Sequence, residues 1–98
     1  MMQSETTVAT TNASRYLQQL CKHFRHKITV EFDATEAHAD FPWGACDMQA
    51  SDEALTIQCR AEDPAALARL EYVVGDHLTR FAWKEGLTVD WRRSAPDC

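Results

Sequence analysis

The stretch that decides the fold is NASRYLQQLCKHFRHKITVEF, residues 12–32. Its apolar residues fall at Ala13, Leu17, Leu20, Cys21, Phe24 and Ile28, in steps of 4, 3, 1, 3 and 4. Those steps trace one face of an α-helix. Thr11 and Asn12 offer an N-cap ahead of it. Lys22, His23, Arg25, His26 and Lys27 crowd its far end, where cations suit the negative pole of the helix dipole. At Ile28 the period changes from helical to two. Ile28, Val30 and Phe32 alternate with Thr29, Glu31 and Asp33, the pattern of a strand with one buried face.

Working outward, a second unit of the same kind follows. Asp63-Pro64 sets an acidic N-cap and a proline at the first helical position. Leu67, Leu70, Val74, Leu78 and Phe81 then repeat at helical spacing, and Gly86 is placed as a C-cap. LTVDW, residues 87–91, echoes ITVEF, residues 28–32. Between the two units lie Ala37–Phe41, stopped by Pro42 and Gly44, then the alternating Cys46, Met48 and Ala50. The turn Ser51-Asp52-Glu53 separates these from Leu55, Ile57 and Cys59. Glu5–Thr10 is a short Thr- and Val-rich strand before the first helix. The chain therefore reads strand–helix–strand, a hairpin, strand–helix–strand. This predicts an α+β two-layer sandwich, an antiparallel sheet of five to six strands with two helices on one face. The plan is ferredoxin-like with an added hairpin, or shifted toward the TATA-box-binding-protein-like strand order.

The chain has 98 residues, 45% hydrophobic and 26% charged, with three Gly and three Pro. This is the composition of one soluble globular domain over 1–98, with an ordered core of about 5–92 and a frayed tail from 93. The formal net charge is −5, which argues against a nucleic-acid surface. That charge is uneven. Residues 12–28 hold Arg15, Lys22, Arg25 and Lys27 and no acid, so a basic segment sits on an acidic body. No apolar run approaches the ~18 residues of a membrane span, and the first residues lack the basic head and apolar core of a secretion signal. Cys21, Cys46, Cys59 and Cys98 form no C-x-x-C pair. They read as free thiols of a reducing cytoplasm, two or three of them in the core.

Four features are candidates for function. The basic helix end (Lys22, His23, Arg25, His26 and Lys27, with Arg15 two turns earlier) suits a phosphate, a carboxylate or an acidic partner. On a wheel, Arg15, Lys22, Arg25 and His26 lie opposite the core. His23 and His26, three apart, can converge on an ion only if a third ligand such as His38 or Asp40 joins them, and no zinc-type spacing is present, so neither a metal nor a cofactor is read. His77, flanked by Asp76 and Arg80, sits at the edge of the second helix's apolar stripe, with no nucleophile or partner legible beside it. Tyr72, Asp76, Thr79 and Trp83 share the face away from the core, which suits a contact surface. Phe41-Pro42-Trp43-Gly44 adds aromatics able to rim a pocket.

Four phrases occur together: Ala13-Ser14-Arg15-Tyr16-Leu17, Cys21-Lys22-His23-Phe24-Arg25-His26-Lys27, Phe41-Pro42-Trp43-Gly44 and His77-Leu78-Thr79-Arg80-Phe81-Ala82. In order and spacing the chain resembles the bacterial domain-of-unknown-function family 2218, from about Thr7 to Trp91. The resemblance implies a small cytoplasmic α+β domain found beside, or joined to, siderophore-interacting flavin reductases. It brings no catalytic residues. The resulting expectation is a non-catalytic accessory or binding module whose partner is an acidic small ligand or a siderophore-linked reductase. Two alternatives stay open: a small enzyme using His77 or His23 as acid or base, and a self-associating structural protein, a homodimer joined through Tyr72 and Trp83.

Overall fold

The computed structural model describes residues 2–94. Six strands and two helices follow in the order β1 (Met2–Ala9), α1 (Ala13–Phe24), β2 (Thr29–Phe32), β3 (Glu36–Phe41), β4 (Gly44–Ala50), β5 (Ala54–Ala61), α2 (Pro64–Phe81) and β6 (Arg92–Ser94). They build one antiparallel sheet in the order β2-β3-β4-β5-β1-β6. β5, α2 and β6 form a split βαβ unit whose two strands hold β1 between them. β1, α1 and β2 form the same unit widened by the β3–β4 hairpin. The expected α+β sandwich is therefore present, as a six-stranded antiparallel sheet with two helices.

Both helices pack on one face of the sheet. The period-two pattern of β3, β4 and β5 sends Ala37, Ala39, Cys46, Met48, Leu55, Ile57, Cys59 and Ala61 toward them. Leu17, Leu20, Cys21 and Phe24 of α1 and Leu67, Leu70, Val74 and Leu78 of α2 complete the core. Burying one such aliphatic side chain stabilises by about 1.5–3 kcal/mol. Cys46 and Cys59 face each other across β4 and β5 with their sulfurs 3.9 Å apart. They and Cys21 are buried free thiols; Cys98 lies outside the described residues. Burial pushes the Cys21 thiol up to about 11, so it stays protonated and inert.

Local chemistry explains where elements begin and end. Asp63 caps α2 as expected, its Oδ1 accepting from the Ala66 amide at 2.8 Å, with Pro64 at the first turn. Asn12 occupies the cap position of α1 but makes no cap hydrogen bond. Its side chain donates instead to Glu85 Oε2 at 3.0 Å. Glu85 also accepts from Thr10 Oγ1 at 2.8 Å and from the Tyr16 hydroxyl. The turn after α2 is thereby tied to the start of α1. Hydrogen bonds from Tyr16, Asn12 and Thr10 hold the Glu85 carboxyl below its ordinary value, and the bond to Glu85 holds the Tyr16 phenol above its own.

Several boundaries differ from the sequence reading. β1 starts at Met2 rather than Glu5. α1 stops at Phe24, whose carbonyl accepts from both the Lys27 and Ile28 amides, at 3.0 and 3.1 Å. Arg25, His26 and Lys27 are therefore a turn into β2, not a last helical turn. α2 ends at Phe81, and Gly86, with φ of 61°, closes the turn that follows instead of capping the helix directly. Residues 87–91 are not a strand. Leu87, Val89 and Trp91 alternate because they pack back on the core, with Val89 and Trp91 against α2 at Gly75. The strand begins at Arg92 and pairs with Gln3–Glu5, so the tail expected from 93 starts inside β6. Arg93 also grips Glu71 of α2 through two hydrogen bonds of 2.8 and 3.1 Å.

Two glycines are predicted to respond oppositely to a methyl group. A Cβ on Gly44 would press into the Arg60 carbonyl oxygen and stand 2.6 Å from Leu70 Cδ1. Gly44→Ala is expected to lower stability by about 1–3 kcal/mol in a urea melt, the range for forced overpacking. A Cβ on Gly75 would meet Trp91 and Val89 at ordinary contact distances of 3.5 and 3.8 Å. Gly75→Ala is expected to raise stability by roughly 0.5–1 kcal/mol, because it removes glycine's entropic cost within a helix.

Candidate functional site

The split βαβ architecture leaves a cleft of about 400 Å³ where three separate segments meet. The α1–β2 turn supplies His23, Phe24, His26, Lys27 and Ile28; the β3–β4 hairpin supplies Phe41, Pro42 and Trp43; α2 supplies Val73 and His77. Each segment is there for a local reason. The Phe24 carbonyl turns the chain so that His26 and Lys27 leave the helix axis and face the cleft. Phe41 pairs with Gly44, so Pro42-Trp43 is a two-residue hairpin turn. The Arg69 guanidinium sits 3.8 Å over the Trp43 ring and holds that wall in place, a cation–π contact.

Aromatic edges line the cleft continuously. Phe24 meets Phe41 edge-on at 5.4 Å between ring centroids, and Phe41 meets Trp43 at 5.4 Å. The His23 and His77 rings stand 4.5 Å apart. His77 Nδ1 lies 2.7 Å from the Val73 carbonyl. A carbonyl only accepts, so Nδ1 carries a proton and donates it to that contact. Partial burial, then His77, His26 and Lys27, hold His23 below the ordinary imidazole value. None of the ten lining residues is an acid, although acids outnumber Lys and Arg fifteen to ten in the chain.

The eight residues expected to form a binding site divide. His23, His26, Lys27 and His77 line the cleft. Arg15 and Lys22 line a different, shallow depression on the outer side of α1, beside Thr11, Asn12, Ser14, Gln18 and Gln19. Arg25 is exposed on the turn and lines neither. Arg80 pairs with Asp76 at 3.1 Å. The single basic face expected from the helical wheel is thus split, because the helix ends before Arg25. Tyr72 and Trp83, expected on the outer face of α2, are each 70% exposed. Sequence reasoning noted the aromatic hairpin but did not join it to the basic turn. It missed Val73 and Ile28 as lining and Arg69 as the support of Trp43.

His38 and Asp40, the remaining partners considered for an ion, belong to another place. They lie on the sheet face that the helices leave open. His38 contacts Asp47 through Nδ1 at 2.5 Å and Asp40 through Nε2 at 2.9 Å. Arg60 pairs with Asp47 at 2.5 Å. Among the described residues no group of three or more His, Cys, Asp or Glu is arranged to hold a metal ion. No helix among them is long and apolar enough to cross a membrane.

A two-layer α+β domain with one aromatic cleft flanked by basic side chains is the class that fold and site define. The chain belongs to domain-of-unknown-function family 2218, described as uncharacterized proteins conserved in bacteria, whose model matches residues 5–92. It is also similar to PA4090 from Pseudomonas aeruginosa, known from an NMR structure. The two share 35% sequence identity over 94% of this chain and 96% of that one, with a TM-score of 0.81. No curated protein matches the chain.

The open-face network makes a pH prediction. Hydrogen bonds to Asp47 and Asp40 raise the His38 imidazole above its ordinary value. Burial works to raise Asp47, but the bonds from His38 and Arg60 prevail and hold it low. A raised histidine stabilises fully below its unfolded value of about 6.5 and loses that contribution as pH climbs through its folded value. The melting temperature of the wild type should therefore exceed that of His38→Gln in mildly acidic buffer. The gap should close as pH rises past neutrality, which scanning calorimetry at several pH values will read.

Proposed function

We propose that this chain is a non-catalytic binding module whose cleft takes a small anionic ligand. One observation carries the reading: a cleft of about 400 Å³ with aromatic walls, one lysine, three histidines and no acid, within a chain of net charge −5. The lining also lacks serine, threonine and cysteine. An imidazole there has neither a nucleophile to activate nor a carboxylate to orient it. This favours binding over the alternative of a small enzyme built on His77 or His23. The narrower form of the proposal draws on the family resemblance. The ligand is then a ferric siderophore, or its carboxylate or catecholate part, and the partner a siderophore-linked reductase in the cytoplasm. Neither nucleic acid nor membrane enters this reading.

Calorimetric titration with carboxylate- and catecholate-type ferric siderophores, and with a cognate reductase, tests it. Lys27→Ala should weaken ligand binding by about tenfold or more, the worth of a charge-assisted hydrogen bond. Lys22→Ala, outside the cleft, should leave it unchanged. Absence of binding, or equal loss in the two variants, sinks the proposal.

A second, compatible reading is self-association, favoured by the exposure of Tyr72 and Trp83 on α2. Light scattering should then give a dimer that Tyr72→Ser with Trp83→Ser returns to monomer. A monomeric wild type at high concentration rejects it.

A further inference from the structure

The cleft is amphiphilic in a way that specifies its occupant. Its walls are ring edges, and a volume of about 400 Å³ lies near the small end of ligand pockets. That matches one aromatic ring packed edge-to-face or offset against Phe24, Phe41 and Trp43. The basic groups, Lys27 and the histidines, call for an acid group on that ring.

The two histidines in contact add a second property. Imidazoles 4.5 Å apart repel each other when both are charged, so the pair resists its second proton. An anion beside them removes that penalty. We infer that the cleft binds a single-ring aromatic anion together with one proton, which His23, in contact with His77, takes from solvent. This rests on the cleft being the ligand site proposed above. The depressed His23 supports it, since burial, His77, His26 and Lys27 all disfavour its charge in the free protein. The charged groups around the pair are otherwise accounted for. The hairpin brings Phe41, Pro42 and Trp43, none of which titrates. On α2, Asp76 and Arg80 are engaged with each other.

The test uses the whole chain and three probes: benzoate, its neutral isostere benzamide, and acetate, which has the charge without the ring. Benzoate stays ionised well above pH 5, so any pH effect belongs to the protein. Titration calorimetry is run between about pH 5.5 and about pH 8, in paired buffers of different ionisation heat. Uptake of one proton gives a limiting slope of about tenfold in affinity per pH unit. We expect benzoate to bind about fivefold tighter or more at the acidic end, with buffer-dependent heats, and benzamide and acetate to bind weakly at both. His23→Gln, checked for folding by circular dichroism, should lose most of the slope. Benzoate affinity independent of pH, or an undiminished slope in His23→Gln, overturns the proton linkage and leaves the ligand site standing. Binding of none of the probes at any pH, with siderophores also silent, overturns the site and the linkage together.

Discussion

The ladder between β1 and β5 is the constraint on which the molecule depends. Eight residue pairs, from Met2 with Ala61 to Ala9 with Ala54, join the start of the chain to the last strand of the β2–β5 meander. α1 packs on the meander strands β2 to β5 and on α2, and the ladder fixes where the chain enters it. The chain leaving Ala9 must cross the sheet to reach β2 at the far edge, and α1 is the element that makes the crossing. The register also decides which side of β1 faces the helices. Ser4, Thr6 and Val8 stand beside Cys59, Ile57 and Leu55. Two hydroxyls are therefore buried with no hydrogen-bond partner, a cost accepted because a one-residue slip would turn the whole strand over.

Sequence pattern carried much of this, for identifiable reasons. The helix stripes through Leu17, Leu20 and Phe24, and through Leu67, Leu70, Val74 and Leu78, are legible because burial enforces a helical period. β3 to β5 are legible for the same reason at period two. β1 is less so, because Ser4 and Thr6 put polar side chains on its inner face. The strand expected over Leu87–Trp91 misled because alternation records one-sided burial and does not say against what; here the inner residues meet a helix face at Gly75. The cleft was half visible. Its basic turn and its aromatic hairpin each stood out. Their meeting did not, since it follows from a chain reversal at Phe24 that no residue type announces. The Glu85 tie was invisible for a related cause: its partners Thr10, Asn12 and Tyr16 are some seventy positions away.

Charge is sorted by face. Glu31, Glu36, Asp40 and Asp47 of β2–β4 lie on the side of the sheet that the helices leave open, where His38 and Arg60 answer part of their charge. The acid-free cleft opens between the turn after α1 and α2, on the other side of the hairpin strands. A domain of this size thus presents two surfaces of opposite character. One is an internally paired polar sheet face, and the other is an aromatic recess whose lysine no lining acid neutralises.

The two borders of the sheet are short. β2 has four residues and carries Glu31; β6 has three and carries Arg92 and Arg93. A brief, charged border offers too few free backbone groups, and too much desolvation cost, to template a strand from another molecule. The widened βαβ plan thereby ends a six-stranded sheet in edges that resist aggregation. Growth into sheet-on-edge polymers is disfavoured by the same terminal residues that seal β1 into the interior.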